Sequence, residues 1–107
     1  MDYETRVRGY FDSFVHRDWE RLTAGMSEDF TFTSQYDDHI SKDEFRTRCL
    51  DVVESIGFLD VDRVVQEGSD VFVRYRGQIN GQNVQNVEHF VFEAGMLKSV
   101  TVFFGRP

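Results

Sequence analysis

A chain of 107 residues with 40% hydrophobic and 15% aromatic content can fill one small core, which excludes a disordered tail. Its net charge of −7, without any cluster of lysine and arginine, argues against nucleic acid and anionic membrane as partners. Cys49 is the single cysteine, so no internal disulfide is possible; with no leader-like or membrane-length apolar run, a cytoplasmic location is expected.

From the N-terminus, Val7, Tyr10, Phe11, Phe14 and Val15 recur at three- and four-residue spacings. This predicts an amphipathic helix over 3–16, with Tyr10 on or beside its apolar face. Asp18 fits the N-cap of a short second helix that buries Trp19 and Leu22. The stretch 30–34 alternates as a strand does, and a polar loop follows from Gln35 to Ile40. Ser41 and Glu44 form a capping box, each satisfying the other's free backbone donor. The helix they open is expected to bury Phe45, Cys49, Val52, Val53 and Ile56 before Gly57 stops it. Strands are predicted over 58–67, 71–79, 84–93 and 97–104. Gly68-Ser69-Asp70, Asn80-Gly81-Gln82-Asn83 and Glu93-Ala94-Gly95 supply turn chemistry between them. No repeat or linker divides the chain, so residues 1–107 are expected to form a single domain. Helices first and an antiparallel meander behind them describe an α+β domain whose sheet curls to bury many rings.

The strand over 84–93 carries the most information. Its alternation puts Glu88, Phe90 and Phe92 on one face, so a carboxyl sits between rings that ought to be buried. Such a carboxylate is costly unless it is paired, hydrogen-bonded or protonated. Tyr10, Arg74 and Arg76 are the candidate partners. His89 points to the opposite face, a surface or interface position. Val87, Val91, Thr101 and Phe103 share that outer face, which suits pairing with a second copy of the chain.

The element order and several strings resemble the NTF2-like superfamily of cone proteins, in its SnoaL-like and ketosteroid isomerase-like branch. Val7-Arg-Gly-Tyr-Phe-Asp-Ser-Phe-Val-His-Arg-Asp18 looks like the family's first helix running into its short second one. Ser27-Glu-Asp-Phe-Thr-Phe32 is similar to the acidic segment before its first strand. Glu88-His-Phe-Val-Phe92 and Val102-Phe-Phe-Gly105 resemble its closing hairpin. The resemblance covers essentially the whole chain. It implies an α+β NTF2-like (cystatin-like) cone, a curved antiparallel or mixed sheet wrapped around three N-terminal helices. For isomerase members it also implies a tyrosine and a neutral carboxylic acid that donate hydrogen bonds to a dienolate oxygen, with a separate carboxylate moving the proton. By position, Tyr10 and Glu88 fall on the first two roles. Ser34 occupies the place of the base, and a serine does not remove a carbon-bound proton near neutral pH. Asp37, Asp38 and His39 follow within a few residues, and Asp38 is the candidate base.

The candidate catalytic residues are therefore Tyr10, Glu88 and Asp38. Phe14, Phe32, Ser34, Phe90, Val102 and Phe104 are the candidate ligand-binding set, lining a cone open at one end. The resemblance implies binding of a small apolar carbonyl- or phenol-bearing molecule, extended to isomerase- or cyclase-like acid–base chemistry. A non-catalytic ligand-binding or protein-interaction module is the alternative. Epoxide opening on the same fold is a third reading, with Arg74 or Arg76 as the arginine between two acids. No metal or cofactor is expected, because consecutive loop residues such as Asp37-Asp38-His39 rarely converge on one ion. Cys49 reads as a small core side chain, His16 as a helix cap, and Trp19 as core or pocket lid.

Overall fold

The computed structural model describes residues 2–106, apart from the side chain of Asp51. Helices α1 (Glu4–Val15) and α2 (Trp19–Ala24) lead into strands β1 (Met26–Thr33) and β2 (Ile40–Ser41). Helix α3 (Lys42–Val52) ends in a 3-10 turn, Val53–Ser55. Strands β3 (Ile56–Glu67), β4 (Asp70–Ile79), β5 (Gln82–Glu93) and β6 (Met96–Gly105) complete the chain. The local chemistry explains the boundaries. Asp18 accepts a hydrogen bond from the Arg21 N–H and caps α2, and both halves of the Ser41–Glu44 capping box are formed at α3. Asn80 with Gly81, and Ala94 with Gly95, take positive φ at two of the three hairpin turns, which matches the turns that join twisted antiparallel strands.

The six strands form one sheet in the order β2-β1-β6-β5-β4-β3. Strands β1 and β6 run parallel and the other neighbours antiparallel, so the sheet is mixed. Three elements differ from expectation. The end of the predicted polar loop pairs with β1, Ile40 opposite Phe32, and becomes β2. Strand β1 starts at Met26, where Leu97 of β6 pairs with it. Helix α3 stops before Ile56, which instead pairs with Ile79, and Gly57 lies inside β3. In each case cross-strand pairing overrides the local pattern.

On the concave face, register stacks Val71–Phe90–Val100, Val73–Glu88–Val102 and Tyr75–Asn86–Phe104 across β4, β5 and β6. Val71, Val73, Phe90 and Val100 are fully buried. Helix α1 lays Val7, Tyr10 and Phe11 over this surface, with Tyr10 edge-on to Phe90 at 5.0 Å. Phe30 and Phe45 tie β1 to α3 at 5.5 Å. Each such ring contributes roughly 1.5–3 kcal/mol by leaving water. The convex face is built differently: Arg74 pairs with Asp62 and Arg76 with Asp60, while His89 stacks on Phe72 at 4.3 Å. Among the described residues, no helix is long and apolar enough to cross a membrane.

Candidate functional site

A cavity of about 300 Å³ opens between the concave sheet face, α1 and α3. That is the lower end of the roughly 300–1,000 Å³ usual for small-molecule sites. Tyr10 and Phe14 reach it from one face of α1, and Phe45, Arg48, Cys49 and Val52 reach it from one face of α3. The inward positions of β4, β5 and β6 supply Tyr75, Asn86, Glu88, Val102 and Phe104.

The floor of the cavity is polar at one buried spot. Glu88 is 6% exposed, with Val73 and Val102 directly beside it on the neighbouring strands. Its Oε1 has no hydrogen-bond partner. Burial pushes the carboxyl up to about 7, and hydrogen bonding from Tyr75 acts in the opposite direction. Near neutral pH a large share of Glu88 is therefore a neutral acid with a proton to donate. Tyr75 is itself held in place. The Asn86 side-chain amide donates to the Tyr75 hydroxyl at 3.1 Å, and the Gly105 N–H donates to Asn86 Oδ1 at 3.3 Å. Because Asn86 occupies the hydroxyl as acceptor, the Tyr75 proton is left to face Glu88. Burial, and then the charge of Glu88, raise the Tyr10 phenol well above its ordinary value, so Tyr10 is a neutral donor. Cys49 lies between two acids: burial first, then Glu88 and Asp37, push its thiol up, which makes it a poor nucleophile.

The mouth is a tight turn. Ser34 and Asp37 exchange backbone hydrogen bonds of 2.8 and 3.3 Å, and this turn carries the Asp37 side chain inward. Ser34 Oγ donates to Asp37 Oδ2 at 3.3 Å and accepts from the Tyr36 N–H at 3.1 Å. Arg48 Nε comes within 2.9 Å of Asp37 Oδ1 from α3. The contact is an ion pair without hydrogen-bond alignment, for Oδ1 has no hydrogen-bond partner. Tyr36 leans edge-on against Phe104 at 5.8 Å, and both rings border the opening.

Tyr10, Glu88, Phe14, Phe32, Ser34, Val102 and Phe104 thus meet around one cavity. Two expected members do not. Phe90 lies in the core beneath Tyr10 and Phe11, because its register places it level with Val71 and Val100. Asp38 faces solvent with its side chain 93% exposed, and its carboxylate lies 2.6 Å from His39 Nδ1. The acid at the mouth is Asp37, since the Ser34–Asp37 turn sends its neighbour outward. Neither Arg74 nor Arg76 reaches Glu88; both occupy the convex face, which also removes them from an epoxide-opening arrangement. Trp19 packs edge-on against Phe14 at 6.0 Å and does not border the cavity. Tyr75, Asn86 and Arg48 were not anticipated. The signal for Asn86 is a polar residue in phase with Glu88 on the same strand, and for Tyr75 its phase with Val71 and Val73.

A description of the SnoaL-like domain matches residues 7–100. The chain belongs to the SnoaL-like domain family. Its fold is that of the NTF2-like proteins. It is similar to an NTF2-like protein of unknown function from Cytophaga hutchinsonii, with 19% identity and a TM-score of 0.83 over 98% of this chain and 93% of that one. A cystatin-like fold protein of unknown function from Methylobium petroleophilum gives 16% identity and a TM-score of 0.83, covering 97% and 76%. A protein with a ketosteroid isomerase-like fold from Catenulispora acidiphila, in complex with trimethylamine, gives 12% and 0.76, covering 92% and 84%. At such identities the likeness is one of fold. No curated protein matches the sequence.

Proposed function

We propose that this SnoaL-like domain binds a small, mostly apolar molecule through a carbonyl or phenol oxygen, which accepts hydrogen bonds from Tyr10 and from neutral Glu88. The observation that carries this reading is the Glu88 carboxyl, buried inside a cavity with one oxygen unpartnered. Leaving such a group unsatisfied costs about 1–3 kcal/mol, which a ligand oxygen at that spot recovers. Two neutral donors in a buried site also stabilise negative charge that develops on the oxygen, so the same floor supports enolate formation.

A ketone tests the reading cleanly, because a ketone only accepts. Titrating 1-tetralone calorimetrically, we expect affinity to fall as pH rises through about 7, where Glu88 loses its proton. Glu88→Gln keeps a donor, so binding persists and its pH dependence disappears; Glu88→Leu and Tyr10→Phe each weaken it about tenfold. Affinity that is indifferent to Glu88→Leu sinks the proposal. Isomerase- or cyclase-like chemistry needs a proton acceptor as well, and Asp37 is the second carboxylate bordering the cavity. Deuterium exchange at the ketone's α-carbon, followed by NMR, separates the two readings. Exchange no faster than in buffer leaves the non-catalytic binding module.

The proposal extends to a second copy of the chain on the convex face, where Val65, Phe72 and Phe103 are exposed. Sedimentation at high concentration should report a dimer that Phe103→Arg dissociates; a monomer throughout removes this part.

A further inference from the structure

We infer that the ligand is a hydroxy-ketone: its carbonyl lies against Tyr10 and Glu88, and a hydroxyl at its far end bridges Asp37 and Arg48. This deepens the preceding reading and rests on it.

Among the described residues, two buried side-chain polar atoms lack a hydrogen-bond partner: Glu88 Oε1 and Asp37 Oδ1. Both residues border the same cavity. A carbonyl on the floor satisfies the first and leaves the second with the Arg48 ion pair but no aligned hydrogen bond. Asp37 is 9% exposed in its side chain, and Ser34 already occupies the other carboxylate oxygen. Oδ1, held by the Arg48 cation without an aligned hydrogen bond, can accept one from a donor inside the cavity.

Its neighbour decides which donor. Arg48 Nε stands 2.9 Å from that oxygen, and the guanidinium carries further N–H groups beside it. An ammonium group would meet the arginine and a carboxylate would meet the aspartate; each like-charge contact is unfavourable. A hydroxyl does both jobs, donating to Asp37 Oδ1 and accepting from Arg48. Between floor and mouth the walls are Phe14, Phe32, Phe45 and Val102, which offer nothing polar and suit a ring. The ligand so described is an apolar ring system with an acceptor oxygen at one end and a hydroxyl at the other.

The test compares 1-tetralone with its 6- and 7-hydroxy derivatives by calorimetry at about pH 6, where all three are neutral. In the unaltered protein at least one hydroxy-ketone should bind about tenfold more tightly than 1-tetralone. Arg48→Met should shrink that preference to within about twofold while the Kd of 1-tetralone stays put, and Asp37→Ala should shrink the preference likewise. The Arg48 variant carries the test if Asp37→Ala fails to fold, because Arg48 is largely exposed. Equal affinities for all three ketones, or a preference that survives both substitutions, overturns the inference and spares the floor reading. Failure of every probe to bind removes both.

Discussion

Glu88 and Asp37 border one cavity, yet the fold gives the two carboxyls opposite surroundings. Glu88 stands on a central strand between two valines, and desolvation drives it toward the neutral acid. Asp37 stands on a turn within 2.9 Å of an arginine on another element, so a cation lies beside it where Glu88 has a valine on either side. The floor is thus a rigid donor built on sheet and helix, and the mouth is a charged clasp built on a loop.

The difference can be tested from its largest consequence downward. Phe90→Ala, in the core under the floor, should cost about 3–5 kcal/mol in urea unfolding, whereas Phe104→Ala at the rim should cost far less and weaken ligand binding instead. Similar losses at both sites would erase the distinction between core and cavity wall.

Next comes pH. Glu88 titrates near 7 in the folded protein and at 4.5 as a free side chain, so the unfolded chain releases its proton first. Glu88 therefore favours the folded state fully below about 4.5, and that contribution is lost as pH rises to about 7, for a total of roughly 3 kcal/mol. The difference in stability between the unaltered protein and Glu88→Gln, measured at pH values across that window, should shift in this direction. A flat difference would mean a solvated carboxyl.

A smaller effect separates the supports. Tyr75→Phe removes the hydroxyl that lowers Glu88, so the Glu88 carboxyl carbon should titrate higher in an NMR experiment, and the Asn86 amide loses its acceptor at a cost of about 1 kcal/mol in stability. A midpoint that drops or stays would show that Tyr75 only packs. Smallest of all, Arg48→Ala should change stability by no more than about 1 kcal/mol, since the guanidinium is largely exposed and screened. A loss above 2 kcal/mol in thermal unfolding would make the clasp structural and not a ligand contact.

Much of this was legible in the chain itself. The period of β5 put Glu88 on the buried face and His89 outside, and helical spacing set Tyr10 toward the sheet. The Ser41–Glu44 box marked where α3 begins. These are local rules of period and capping, and they act before any long-range contact forms. What failed locally were the places where a partner distant in sequence decides. Ile40 became a strand because β1 was there to pair with it, and Ile56 left its helical pattern because β4 offered Ile79. Asp37 and Asp38 are indistinguishable by type and adjacent in sequence; only the turn closed by Ser34, with Arg48 reaching across, turns one inward and the other out. Sequence alone thus determined the α+β cone, the buried carboxyl and the tyrosine above it, because period and burial are properties of single elements. Tertiary structure alone decided which acid guards the mouth, that Tyr75 and Asn86 brace Glu88, and that Phe90 is core, because those outcomes depend on which elements come to lie side by side.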